Sequence, residues 1–271
     1  MQTAYFRGLA IALAGLMLVC APAFSQTAGK NQPTSENHRP PGSPKSGGSV
    51  SMGLVSRPIY QGSDAYRATV GASFGYQWEN GLSVGTNGIG WQLSQRENTQ
   101  FGIGLGFSAG RKEGDSNGLR GMGDINDQVT FRGYVNTSVA RGVAVGAALE
   151  MGSGNAREGV LLQLATTYTL PLGPAWSLSL DAGAAIANAD YMGNFFGVNT
   201  LQAAASGYAT YNPAGGIRDV SMGARLNYAL APKWILTVGV SGVALGGSAQ
   251  NSPLVRQPNS AAALMGITSR F

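Results

Sequence analysis

Between residues 219 and 242 the chain alternates apolar and small or polar side chains almost without a break. Val220, Met222, Ala224, Leu226, Tyr228 and Leu230 fall on one side, and Ser221, Gly223, Arg225 and Asn227 on the other. After Ala231-Pro232-Lys233 the pattern restarts, with Trp234, Leu236, Val238 and Val240 against Ile235, Thr237, Gly239 and Ser241. Side chains of period two belong to a strand, because successive residues point to opposite faces of a sheet. The stretch therefore predicts a hairpin with one apolar face. Each strand is about ten residues long with an aromatic beside the turn, which is the size of a membrane-crossing β-hairpin.

The same alternation recurs from Ser49 to the end. Val50, Met52 and Leu54 alternate with Ser49, Ser51 and Gly53; Tyr66, Ala68, Val70, Ala72, Phe74, Tyr76 and Trp78 alternate with Arg67, Thr69, Gly71, Ser73, Gly75 and Gln77. Residues 101–109 place Phe, Ile, Leu and Phe at every second position. Looser versions occupy 129–139, 143–151, 160–170, 176–186 and 263–271. No comparable stretch carries a helical period, so the expectation is an all-β barrel or sandwich.

Composition separates these two. Only 11% of residues are charged, and mean hydropathy is zero. A soluble sandwich hides its apolar face and coats the other with charge. Here the polar face is mainly Gly, Ser and Thr, as expected when apolar side chains meet lipid and small polar ones fill a lumen. The 41 glycines fit a tightly curved wall. Aromatics near strand ends, Trp78, Trp91, Tyr168, Trp176, Tyr228 and Trp234, suit interfacial girdles. The predicted fold is a single transmembrane antiparallel β-barrel over residues 49–271, closed by a strand ending in Phe271.

Bacterial barrels keep both termini in the periplasm, with an even strand number, short inner turns and long outer loops. Short turns at Ala140-Arg141, 171–174 and 231–233 mark the periplasmic side, and long loops at 111–126, 188–216 and 246–259 the outer one. Eleven strands are evident. Splitting 81–94 at Thr86-Asn87-Gly88, where Asn-Gly favours a tight hairpin, makes about twelve, with ten as the alternative. In the opening hairpin, a charge at Leu226 is expected to harm insertion and one at Asn227 not.

Residues 1–25 read as a cleaved signal peptide: Arg7 supplies the n-region, residues 8–20 the apolar core and Ala23-Phe24-Ser25 the cleavage site. Val19 before Cys20 argues against lipid attachment. Cys20 is the one cysteine, so disulfides play no part in the mature chain. Residues 26–48 are rich in Pro, Ser, Gly and Asn and read as a disordered periplasmic arm, either a plain tether or a segment touching an anionic polymer.

Catalytic chemistry finds little support. The single histidine, His38, lies in that arm, which leaves no Ser-His or Cys-His pair and no zinc site. Asp124 with Asp127, or Glu113 with Asp115, serve turns more readily than acid-base work. Gly102, Gly104 and Gly106 lie within a strand rather than before a helix, so they are wall and not a phosphate loop. We expect no enzyme, no catalytic residue, no cofactor and no metal. On the inner face lie Arg67, Arg132, Glu150, Asp181, Arg225 and Arg270, either paired structurally or forming a selectivity ring for anions. A net charge of +5 outside the cell suits outer-membrane lipid and lipopolysaccharide rather than nucleic acid.

Several loops resemble the MltA-interacting protein (MipA/OmpV) family. The segment carrying Pro58, Tyr60, Gly62, Ser63 and Asp64 is similar to its stretch after the first strand, and Gly121 with Asp124 to its middle block. Phe196-Gly197 and Ser206-Gly207 resemble its aromatic loop, Ser252-Pro253 its last long loop, and Arg270-Phe271 its ending. Ser269 departs from the aromatic usual before that ending. The resemblance implies an outer-membrane location, no family catalytic residues, and a scaffold or adapter role toward a murein transglycosylase and a murein synthase. The alternatives left open are a small channel for anionic or neutral solutes and, further off, a surface adhesin using loop 188–216. Oligomeric state is not readable from the sequence.

Overall fold

The computed structural model describes residues 46–94, 96, 98–152 and 159–271. The expected signal peptide and most of the expected arm lie outside them. Twelve antiparallel strands form one closed barrel in which each strand pairs with its sequence neighbours and β1 meets β12. They are β1 (Gly47–Pro58), β2 (Tyr66–Gln77), β3 (Leu82–Gly85), β4 (Gly88–Gln92), β5 (Thr99–Ser108), β6 (Gln128–Ala140), β7 (Val143–Gly152), β8 (Val160–Pro171), β9 (Trp176–Ala187), β10 (Gly216–Ala231), β11 (Trp234–Leu245) and β12 (Asn259–Arg270). The division at Thr86-Asn87 makes β3 and β4, and the count is twelve.

Closure runs from Ser49 opposite Arg270 to Ser56 opposite Ala263. Phe271 prolongs it by exchanging two backbone hydrogen bonds with Gly48, at 2.9 and 3.0 Å. Its ring fills the space that a Gly48 side chain would occupy and stacks on Tyr76 at 6.5 Å. Pairing β1 with β12 closes the ring, so neither terminal strand is left as an edge.

The outer face is apolar along every long strand. Val70, Met222, Val240 and Met265 are exposed in alternation with small or polar residues that face inward. Trp78, Trp91, Tyr168, Trp176, Tyr228 and Trp234 all sit at the end bearing the short turns. Trp176 packs on Tyr228 at 4.4 Å between centroids, and Trp91 donates its indole N–H to the Asn80 carbonyl at 3.1 Å. No helix among the described residues is long and apolar enough to cross a membrane.

Periodicity showed no long helix, and the outer loops hold only short ones: α1 (Ala189–Phe196), α2 (Thr200–Ser206) and α3 (Gly247–Gln250). Their starts are nevertheless written locally. The Asn188 side chain accepts from the Tyr191 N–H, and Asn199 forms a capping box with Gln202. Gly207 ends α2 at φ 77°, the left-handed position that favours glycine.

Candidate functional site

The long loops do not spread over the outer surface. They fold into one cap across the mouth. Its centre is apolar: Ile125, Met192, Phe195, Phe196 and Ala249 pack with wall residues Leu161, Ala185, Ala187 and Leu245, and Met122, Val198 and Leu254 form a second cluster. The aromatic residues of loop 188–216 therefore point into the cap rather than outward.

Side chain to backbone bonds tie the loops to one another. The Tyr60 hydroxyl donates to the Leu254 carbonyl at 3.1 Å. The Ser252 hydroxyl donates to the Phe196 carbonyl at 2.6 Å, and the Gln202 amide to the Met122 carbonyl at 2.7 Å. The Gly62 carbonyl accepts from the amides of Arg256 and Gln257 at 2.7 and 3.0 Å. Val255 stands 2.6 Å from where a Gly62 side chain would begin, at φ 86°, so glycine is required there. Gly121, φ 80°, lies equally close to the Ala205 backbone, and its N–H donates to Glu113 at 2.8 Å.

The family-like residues thus meet in space although they come from separate loops. Pro58 ends β1; the Ser63 hydroxyl turns its own loop by donating to the Ala65 carbonyl at 3.1 Å; Asp64 stays exposed. Asp124 accepts the Glu113 N–H at 2.8 Å and pairs with Lys112 at 3.3 Å. The Glu113 N–H, then Lys112, hold its carboxyl below the usual carboxylate range. The Gly197 N–H closes α1 on the Gly193 carbonyl at 3.0 Å, and the Ser206 hydroxyl donates to the Gln202 carbonyl at 2.6 Å. Pro253 is half-buried between Ser252 and Leu254.

Arg111, which sequence reasoning passed over, is the cap's buried cation. It is 2% exposed and donates to the Phe195 carbonyl at 3.0 Å, at the C-terminal end of α1, where a helix dipole favours positive charge. Burial lowers its pKa to about 10, so it remains charged at neutral pH. Burial likewise raises the pKa of Tyr60.

Below the cap, polar and charged side chains of the inner face bond to one another between neighbouring strands. Arg225 and Asp181 form a two-point pair at 3.1 and 2.7 Å, and Asp181 also accepts the Thr167 hydroxyl at 2.8 Å. Asn227 donates to Ser177 at 3.3 Å and accepts from Thr237 at 2.9 Å. At 6% exposure it lies inside a hydrogen-bonded network, which argues against the expectation that a charge is harmless at Asn227. Arg132 faces Glu150 across β6 and β7. Arg67 reaches out of the lumen to Asp115 in loop 109–127 at 3.2 Å. Arg270 faces Ser49 at the short-turn end. These six residues stand at different heights, and the structure gathers only two pairs among them.

A second buried pair was missed. Arg218 donates to Asp219 at 2.5 Å and to the Tyr191 hydroxyl at 2.7 Å, with both charged side chains fully buried. Strict alternation would put Arg218 on the lipid face with Val220. The register against β9 slips between Ile217 and Asp219, and this bulge turns Arg218 inward. An arginine in phase with an apolar face was the available signal. Among the described residues no group of three His, Cys, Asp or Glu side chains could hold a metal ion.

Known proteins supply the remaining comparison. The family model described as MltA-interacting protein MipA matches residues 50–271. Among curated proteins none matches in sequence. Of solved structures, the KdgM porin is similar at TM-score 0.45 and 11% identity, over 82% of this chain and 99% of that one. The NanC porin is similar at TM-score 0.45 and 10% identity, over 81% and 98%. The CymD monoaromatic hydrocarbon channel is similar at TM-score 0.43 and 9% identity, over 83% and 88%.

Proposed function

Since the chain belongs to the MltA-interacting protein MipA family, we propose that it serves as a non-enzymatic scaffold of the outer membrane. In this reading it holds murein-cleaving and murein-building enzymes against the inner side of that membrane. The observation that carries it is the locked cap. Four outer loops are bonded to one another over an apolar centre, and beneath them the Arg225–Asp181 pair locks neighbouring strands β9 and β10 on the inner face. A mouth built this way suits a fixed support better than an open pore for solutes.

Affinity capture with the detergent-solubilised protein tests the adapter role: a murein transglycosylase or synthase is the expected companion. Recovery of neither from envelope extracts removes that role. Planar-bilayer recording tests the alternative of a small solute channel. The cap predicts no conductance steps of open-pore size, and regular steps from folded protein would favour the channel instead.

A further inference from the structure

The barrel wall is complete except beside β2. β3 and β4 have only four and five residues, and β3 pairs with no more of β2 than Gly75, Tyr76 and Gln77. Thr86 closes the final rung. Its N–H donates to the Phe74 carbonyl at 2.9 Å, and its hydroxyl accepts from the Phe74 N–H at 2.8 Å. Beyond that point β2 pairs with β1 alone. Alternate residues of an antiparallel strand address the same neighbour, so Ala72, Val70 and Ala68 face the gap as Phe74 faces the hairpin. Their N–H and C=O groups have no hydrogen-bond partner among the described residues. β5 is likewise free of β4 beyond Gly106. Two strands are missing above the Thr86-Asn87 turn, which sets β2 and β5 about three strand spacings, or ~14 Å, apart there.

This gap lies at membrane depth. Phe74 is three residues above the aromatic level at Gln77 and Trp78, or about 8 Å on a tilted strand, within an apolar band about 25 Å tall. The outer rim is apolar: Val70 is 70%, Ile89 55%, Leu105 54% and Phe107 51% exposed. The inner rim is Thr69, Gly71 and Ser73, and a side chain added at Gly71 would touch nothing within 4 Å. At the top, Arg57 stands directly opposite Arg67. Asp115 pairs with Arg67 across the opening, whereas no ion pair among the described residues involves Arg57.

We propose that this opening is a lateral portal between lumen and outer leaflet, and that it admits a single-chain amphipathic anion. The inference takes the barrel to be embedded in a membrane and goes beyond the scaffold reading. Unpaired backbone groups are costly in hydrocarbon but tolerated beside water, and the empty space inside Gly71 lets lumen water reach them. An anionic head travels along that wet edge while its chain stays among Val70, Leu105 and Phe107. Like charges on facing residues repel. Asp115 relieves one arginine of the Arg57–Arg67 pair, and the head group relieves the other.

A photoreactive fatty acid presented to the full-length barrel in nanodiscs tests this, with adducts mapped by mass spectrometry. Adducts should concentrate on Tyr66 to Phe74 and Leu105 to Phe107. Excess laurate or dodecyl phosphate should suppress them, and whichever suppresses more distinguishes a carboxylate from a phosphate head. Dodecyltrimethylammonium should not. The Arg57→Gln/Arg67→Gln variant should label about tenfold less, the equivalent of one charge-assisted hydrogen bond. Gly71→Phe should match that loss by filling the portal, while Gly133→Phe, where an added side chain also meets nothing within 4 Å but faces lipid between Phe131 and Val135, should label normally. Even labelling around the wall, equal suppression by the cation, or unchanged labelling in folded Gly71→Phe overturns the portal. So does slow amide exchange at Ala68, Val70 and Ala72, which would mean that the strand of another chain occupies the edge.

Discussion

The Arg225–Asp181 pair offers a direct measure of what holds the lumen together. Arg225 is fully buried, Asp181 is 4% exposed, and the shorter of their two contacts is 2.7 Å. Asp181→Leu leaves a guanidinium without its counter-charge in a packed interior. Breaking one partner of a buried pair costs about 3–5 kcal/mol, or about two to four orders of magnitude in the folding equilibrium. Arg225→Met strands the carboxylate instead and should cost a similar amount. The double variant removes both charges together, and apolar replacement of a buried pair is often nearly neutral. One loss remains, because the Thr167 hydroxyl gives up its acceptor, worth about 1 kcal/mol. Urea unfolding in lipid vesicles, followed by tryptophan fluorescence, should therefore rank the double variant well above either single one. Single variants within about 1 kcal/mol of the parent, or a double variant as weak as the two losses added, would refute the pairing argument.

Other outcomes follow from the same geometry. Leu226→Arg places a charge on the lipid face opposite Val238 and Leu178 and should lower barrel stability by about 2–4 kcal/mol near the midplane, read from the same unfolding curves. Asn227→Asp should also destabilise, because the new charge meets Ser177 and Thr237 in a closed network; a neutral effect would mean that the lumen is wet at that level. Tyr60→Phe removes the bond to the Leu254 carbonyl, and a loss of about 1 kcal/mol should appear as faster protease cutting in loop 246–258 with the barrel intact. Asp124 has a lowered folded pKa, so its contribution is present above the unfolded value of 3.8 and fades as pH falls through the lower folded value. Protease sensitivity of loop 109–127 should rise in that acid window for the parent, and Asp124→Asn should abolish the step.

The wall was legible because a strand buried on one face and wetted on the other imposes a period of two that survives in a single sequence. Phe101, Ile103, Leu105 and Phe107 announce their face without any partner in view. The cap was not legible in this way. Its contacts join Tyr60 to Leu254, Ser252 to Phe196 and Gln202 to Met122, and such long-range pairs leave no local period. Only their residue types hinted at order: glycines at left-handed φ and asparagines placed before short helices. Arg218 failed for a third reason. A one-residue bulge reverses the face of everything before it, and the alternation rule gives no warning unless a charge falls in the apolar phase.

The incomplete wall beside β2 follows from the same device that set the strand count. Thr86-Asn87 makes a tight two-residue turn between Gly85 and Gly88, and a hairpin of four and five residues cannot reach the outer rim that β2 and β5 reach with twelve and ten. Parity required those two strands; it did not require them to be long. The closed ring is therefore satisfied at the short-turn end, where all twelve strands pair, and interrupted above Thr86, where ten continue. A cap that seals the mouth while the wall beneath is short on one side directs any traffic sideways, toward lipid. Lengthening the hairpin is the stringent check. Inserting two alternating residues on each side of Thr86-Asn87 should extend pairing to Ala72 and Gly106's outer neighbours, raise thermal stability through added rungs, and lower fatty-acid labelling of β2 together with it. If stability rises and labelling does not fall, the edge is paired more fully but was never the path.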